Sequence, residues 1–238
     1  MMDEMEKRVW LVVGASRDGI GAAIAKEAAK QGDRVVITGA ENSPLQMPDG
    51  VETYHQLDVC DTDAISELAK NFPRLDTLVN CAAISRRDEE DNVDMFRHVI
   101  DVNLIGNFDV IKSFEPALIA SKGSIINIAS MYSFFGSPRV PAYGASKAAI
   151  YQLTKSMALK YASKGVRVNG VAPGFIVTEQ TQKGRDDQEH YQAVIKRTPF
   201  SRWGNPDDIS GPVIFLASEQ AAFITGQIIV VDGGYSIG

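Results

Sequence analysis

Short runs of aliphatic and β-branched residues alternate along this chain with segments whose apolar positions recur every three to four residues. The first pattern predicts buried strands and the second amphipathic helices. In order, Arg8–Val13 predicts a strand, Gly21–Gln31 a helix stopped by Gly32, and Arg34–Thr38 a second strand. Residues 40–50 contain Pro44, Pro48 and Gly50, which predicts a loop in place of a long helix. Val51–Leu57 reads as a third strand, Asp61–Asn71 as a helix capped by Asp61 or Thr62, and Leu75–Asn80 as a fourth strand. Asn92–Ala120 predicts one long helix, bent near Gly106. Gly123–Ser130 is a fifth strand, Ala142–Ser163 a helix and Val166–Val171 a sixth strand. Residues 175–200 are polar and irregular, with a helical patch near Gln188–Arg197. Pro206–Ala217 predicts a helix and Gln227–Val231 a last strand.

Strands alternating with helices predict an α/β fold, a parallel sheet covered by helices on both faces. At 238 residues and 45% hydrophobic, the chain suits one domain, residues 1–238, and no repeat or linker divides it. The formal net charge is -6 and no run of Lys or Arg stands out, which argues against a nucleic-acid surface. The start, Met1–Glu6, is acidic and unlike a signal peptide, and no apolar stretch is long enough to span a membrane. These features predict a cytoplasmic protein. Cys60 and Cys81 lack metal-ligand spacing and read as two reduced, buried thiols. His55, His98 and His190 are scattered, so no metal site is expected.

The chemistry concentrates in Tyr143-Gly-Ala-Ser-Lys147, with Ser130 thirteen residues upstream at the end of a strand-like run. Residues four apart share one helix face. A cation there favours the phenolate of a group with a pKa of about 10, and a hydroxyl beside it can hold a substrate oxygen. That is a general acid/base site for a carbonyl–alcohol pair. The spacing alone is weak evidence, since Tyr151-Gln-Leu-Thr-Lys155 repeats it. Tyr143 differs by following the break Pro138–Pro141 and by having Ser130 upstream. Tyr151 lies two turns deeper, where packing or a subunit contact is the default.

A second signal is Gly14-Ala-Ser16-Arg17-Asp-Gly19-Ile20-Gly21, between the first strand and the first helix. Glycines permit a tight turn, and a helix N-terminus offers free N–H groups to a pyrophosphate. Asp58, ending the third strand, could accept from an adenine amino group or cap the next helix. Asn80, ending the fourth, could tie down the turn Cys81-Ala82-Ala83 beside a ribose. All lie at strand C-terminal ends, where open α/β sheets bind ligands.

Gly14…Gly19-x-Gly21, Asp58-Val59, Asn80-Cys-Ala-Ala83, Asn103, Ser130, Tyr143/Lys147, Pro173-Gly174 and Thr178 together resemble the short-chain dehydrogenase/reductase family over nearly the whole chain. The string Ala129–Tyr143 resembles the sugar-acid branch of that family, such as gluconate or deoxy-keto-gluconate dehydrogenases. The resemblance implies a single doubly wound domain with seven parallel strands in the order 3-2-1-4-5-6-7, and a homotetramer or dimer. It implies Tyr143 as general acid/base and Lys147 as the cation that lowers its pKa and bonds the nicotinamide ribose. It implies that Ser130 orients the carbonyl and that Asn103 holds a water of the proton path. Asp58, Val59, Asn80, Ala82, Pro173, Gly174, Ile176 and Thr178 join the glycine turn as dinucleotide contacts, with Ile176 and Thr178 near the carboxamide. Two departures stand out. Four residues rather than three separate Gly14 from Gly19, and Val13 and Ala83 replace the usual Thr and Gly.

At the end of the second strand a carboxylate selects NAD, and an arginine selects NADP. Gly39 and Ala40 give no answer. Arg17 points to NADP, whereas Asp18 and Glu41 oppose a second phosphate, so the balance leans to NAD. A small-molecule substrate is implied, walled by residues 131–136, including Tyr132, and by Arg139, which could pair a carboxylate or bridge loops at a subunit contact. Residues 178–200 read as a lid, with Trp203 packing beneath it. The alternatives are a 3-oxoacyl thioester reductase, a sugar-nucleotide epimerase or lyase, which usually needs an extra domain, and a non-catalytic dinucleotide sensor. A sensor would lack Ser130, Tyr143 and Lys147.

Overall fold

The structure is a computed structural model that describes residues 7–238. The acidic start, Met1–Glu6, lies outside the described residues. Seven strands form one all-parallel sheet: β1 (Val9–Val13), β2 (Arg34–Gly39), β3 (Thr53–Gln56), β4 (Thr77–Asn80), β5 (Ser124–Ile128), β6 (Arg167–Pro173) and β7 (Ile228–Val231). Their spatial order is β3-β2-β1-β4-β5-β6-β7, with the reversal between β1 and β4. The expected α/β architecture is therefore present.

Side-chain alternation makes the sheet double-faced. Leu11, Val13, Val36, Leu78, Ile125 and Val168 face one core. It is covered by α2 (Thr62–Ala69), α4 (Asn107–Ser113), α5 (Glu115–Ser121) and α6 (Pro141–Tyr161). Trp10, Val12, Val35, Ile37, Val79 and Ile126 face the other. Its cover is α1 (Ile20–Lys30) and α9 (Asp207–Ala217). Strands buried on both faces carry near-continuous aliphatic runs, which made them legible from sequence.

Asp61 caps α2 by accepting from the Ala64 N–H at 2.9 Å. The long helix expected over 92–120 is divided instead. Asn92 caps α3 (Val93–Ile100), a wider π-helical turn follows over Asp101–Gly106, and Phe114 separates α4 from α5. Gly106 permits this course, because a Cβ there would lie 2.5 Å from the Val59 carbonyl oxygen. The stretch expected to be irregular after β6 is ordered into a short 3-10 turn (Glu179–Thr181), α7 (Gln182–Asp186) and α8 (Gln188–Arg197). Cys60 is exposed, contrary to its expected burial, because it sits on the turn that leaves β3, whereas Cys81 is partly buried. Among the described residues no helix is long and apolar enough to cross a membrane.

Candidate active site

The C-terminal ends of β1, β4, β5 and β6 lie along one edge of the sheet. Gly14 leaves β1 with φ +89, and a Cβ there would lie 2.6 Å from the Ala82 backbone. The turn can therefore press against β4 only with glycine at this position. The N–H groups of Gly14 and Ala15 both donate to Thr38 O, at 3.0 and 2.8 Å. Gly21 is equally constrained, with the Gly14 carbonyl oxygen 2.4 Å from a would-be Cβ. Gly19, by contrast, has only Thr178 nearby, at 3.9 Å. Helix α1 starts with no side-chain cap and no acidic residue in its first turn. Its N-terminal N–H groups and its positive dipole end thus lack an anionic side-chain partner, which fits a pyrophosphate. The residues present fit a dinucleotide held by the Gly14–Gly21 turn, with Asp58 and Val59 at the edge of β3 and the segment Pro173–Thr178 after β6.

The four-residue turn settles around Glu41. The Ser16 hydroxyl donates to its carboxylate at 2.5 Å, and Arg17 bridges it to Glu179. Those two hydrogen bonds, Ser16 first, hold the Glu41 carboxyl down at about 2. Asp58 does not cap α2; its Oδ1 accepts from the Cys60 N–H at 2.9 Å, and the residue is exposed. Asn80 does not tie down the turn after β4. It is paired in register with Asn127 and donates to its Oδ1 at 3.0 Å, and Asn127 donates in turn to Thr154 on α6 at 2.9 Å. Asn107 holds the turn instead, donating to Ala82 O at 3.2 Å.

Tyr143 and Lys147 lie on α6, and Ser130 lies just after β5. Lys147 is 3% exposed and donates to Ile128 O at 2.7 Å, with its Nζ 5.5 Å from the Tyr143 ring centroid. Burial pushes Lys147 down to about 8. Burial also raises the Tyr143 phenol, and its hydrogen bond with Ser130 opposes the rise. Asn103 is fully buried in the π-helical turn. It exchanges hydrogen bonds with the Ile84 backbone at 2.8 and 2.9 Å and donates to Ser146 at 3.0 Å. Ser146 in turn donates to Tyr143 O at 2.7 Å. The side-chain polar groups of Asn103 are thus committed to protein partners and fix α6. The second tyrosine is separate: Lys155 lies over the Tyr151 ring at 4.1 Å, and Phe134 packs against its edge.

An aromatic wall faces Tyr143. Tyr132 meets it edge-on at 6.2 Å, then Phe175, with His190, Trp203 and Tyr235 beyond. Trp203 is buried beneath α8, stacked on Tyr191. Arg139 is engaged by Asp187, 3.4 Å away at the start of α8. Sequence reasoning missed Phe175, His190, Tyr235 and two charged residues. Arg87 joins Arg139 on Asp187, and Glu90 accepts the Tyr143 N–H at 2.9 Å. Both sit in the charged run Arg86–Asp91. Among the described residues no cluster of three or more His, Cys, Asp or Glu could hold a metal ion.

Residues 14–236 match the family described as "Enoyl-(Acyl carrier protein) reductase". The chain is 40% identical to a 2-dehydro-3-deoxy-D-gluconate 5-dehydrogenase of Pseudoalteromonas atlantica, covering 97% of this chain and 96% of that one. It is 36% identical to a 3-oxoacyl-(acyl-carrier-protein) reductase of Rickettsia bellii, covering 98% of each. Among solved structures, a gluconate 5-dehydrogenase from Burkholderia cenocepacia in complex with NADP and tartrate superposes with a TM-score of 0.91. It is 33% identical, covering 98% of this chain and 97% of that one.

Proposed function

The chain belongs to the short-chain dehydrogenase/reductase family, and on that premise we propose that it interconverts an alcohol and a ketone on a sugar acid. Membership makes it an NAD(P)-dependent oxidoreductase. The observation that carries the reading is the convergence of Ser130, Tyr143 and Lys147 beside the glycine turn, on one edge of the sheet. The bound nicotinamide supplies the hydride chemistry. Tyr143 handles the proton: its phenol donates to a ketone oxygen in reduction, and the phenolate takes the hydroxyl proton in oxidation. Burial keeps the phenol of the dinucleotide-free chain neutral at ordinary pH, so the proton donor is its resting form. Ser130 holds the substrate oxygen beside the phenol. Lys147, fixed by Ile128 O, keeps positive charge behind the ring.

The sugar-acid assignment follows the Pseudoalteromonas and Burkholderia relatives. The ionised Glu41, placed at the end of β2, supports NAD over NADP. Exposed Phe96, Ile105 and Phe108 around α3 and α4, and Leu159 on α6, support a homotetramer. Segment 178–200 acts as the lid, and the enzyme is cytoplasmic. The test is a screen of sugar acids, polyols, cyclic alcohols and a 3-oxoacyl thioester with both cofactors, followed by nicotinamide absorbance. Turnover of a sugar acid supports the assignment, and preference for the thioester overturns it. Gel filtration with light scattering tests the tetramer.

A further inference from the structure

An ion pair runs from the glycine turn to the root of the lid. Arg17 Nη1 lies 3.1 Å from Glu179 Oε2, although the two residues are 162 apart in the chain. The other amino group of Arg17 is held by Glu41, just after β2. One cation is thus shared by two carboxylates, one on the sheet and one on the lid. Both ends of this row of charges have a fixed base. On the turn side, Ser16 O accepts the N–H groups of Leu45 and Gln46 at 2.7 and 3.2 Å, and the Ser16 hydroxyl donates to Glu41. On the lid side, Thr178 and Thr181 form a reciprocal capping box. Thr181 Oγ1 accepts from the Thr178 N–H at 3.1 Å and donates to Ile176 O at 2.8 Å, and Arg185 donates to Thr178 O at 3.0 Å. These bonds make residues 176–185 one unit, and Glu179 belongs to it.

The lid root rests against the start of α1. Gly19 is the N-cap of that helix and faces Thr178, whose Cγ2 would lie 3.9 Å from a Cβ on the glycine. That is where the uncapped N–H groups of α1 fit a pyrophosphate. The Arg17–Glu179 pair therefore joins the two segments that border this site, the glycine turn and the stretch that ends at Thr178.

We propose that Arg17 and Glu179 form a latch that holds the lid root against the glycine turn, and that opening of this latch sets how fast the dinucleotide leaves. The proposal rests on the reading of residues 178–200 as the lid and adds the bond that keeps it shut. Both are positioning residues, since neither has to touch the reacting atoms. Their side chains are 48% and 62% exposed, so water and salt compete for the pair. A weak pair suits a closure that has to open in every turnover. Glu41 retains Arg17 at the turn while the latch is open, so only Glu179 has to return.

The experiment uses the full chain and follows NADH release by stopped-flow displacement. Glu179→Gln should speed release by about two- to fivefold, the worth of one exposed ion pair. Glu179→Lys sets like charges face to face and should speed it further. Added salt should speed release in the unsubstituted chain and do so much less in Glu179→Gln. The melting temperature should stay unchanged in both variants. Glu189→Gln removes an exposed lid carboxylate that has no part in the latch, and should leave release as it is. The dinucleotide-free chain gives a second readout: trypsin should cut after the exposed Lys183 faster in Glu179→Gln. A release rate unchanged in Glu179→Lys, or raised equally by Glu189→Gln, overturns the latch, as does a cutting rate that Glu179→Gln leaves unaltered. Failure of the lid reading looks different: saturating NADH then binds the unsubstituted chain without protecting Lys183 from trypsin.

Discussion

Glu90, only 1% exposed, accepts the backbone N–H of Tyr143 at 2.9 Å through Oε2, while Oε1 accepts from the Arg86 N–H at 2.8 Å. Helix α6 has no side-chain cap of its own at Val140. A carboxylate from a distant loop therefore satisfies one orphan N–H at its start and complements the positive end of its dipole. The same bond ties Tyr143 to the loop that carries Arg87.

Glu90→Ala should leave two buried N–H groups unpaired and cost about 1–3 kcal/mol each. Urea unfolding measures the loss. Glu90→Gln keeps an acceptor and should restore most of the stability and turnover. A Gln variant no better than Ala would show that the charge, rather than the hydrogen bond, holds the helix start.

Tyr143→Phe should lower turnover by about 10²- to 10⁴-fold, the usual worth of general acid/base catalysis. Dinucleotide affinity, read by fluorescence titration, should stay nearly unchanged. Tyr151→Phe is the internal control: its ring packs with Phe134 and Lys155, and its removal should leave the chemistry largely intact. Comparable losses in the two variants would remove Tyr143 from its assigned role.

Lys147 provides a pH signature of stability. Its folded pKa of about 8 lies below the ordinary 10.5. Below 8 both states keep the proton, and the folded chain bears the cost of a buried cation. Between 8 and 10.5 the folded chain releases the proton while the unfolded chain still holds it, so stability rises with pH. The stability of the dinucleotide-free protein, minus that of Lys147→Met, should therefore climb across this window. A flat difference would mean that the ammonium is not penalised by burial.

Glu41 and Arg17 should act oppositely on cofactor choice. Glu41→Gln removes the anion that engages Ser16 and Arg17 and should move the ratio of kcat/KM for NAD over NADP toward NADP by about tenfold or more. Arg17→Ala should leave turnover with NAD in place. Strong NADP preference in the unsubstituted enzyme, abolished by Arg17→Ala, would reverse the assignment.

The strands were legible because both faces of the sheet are buried, which writes aliphatic runs into the chain. The pairing of Tyr143 with Lys147 was legible because one helix turn places the two together. Asn80 was misread because its partner depends on strand register: β4 pairs it with Asn127, and the amide follows that neighbour instead of its own turn. The division of residues 92–120 into separate helices was hidden in an apolar pattern that runs on through them, although Pro116 sits in the first turn of α5, a position that favours proline. Glu90 and Arg87 could not be separated from their charged neighbours, since composition does not say which member of an acidic and basic run turns inward.

Trp10 and Trp203 are the chain's only two indoles. The first is sealed in the core with its Nε1 donating to Asp33 at 2.7 Å; the second lies nearly flat against Tyr191 of α8, rings 5.5 Å apart at 12°. With Trp10→Phe, the surviving emission reports on the position of α8, and with Trp203→Phe it reports on global melting. Motion of the lid and loss of the fold thus have separate optical channels within one unlabelled molecule.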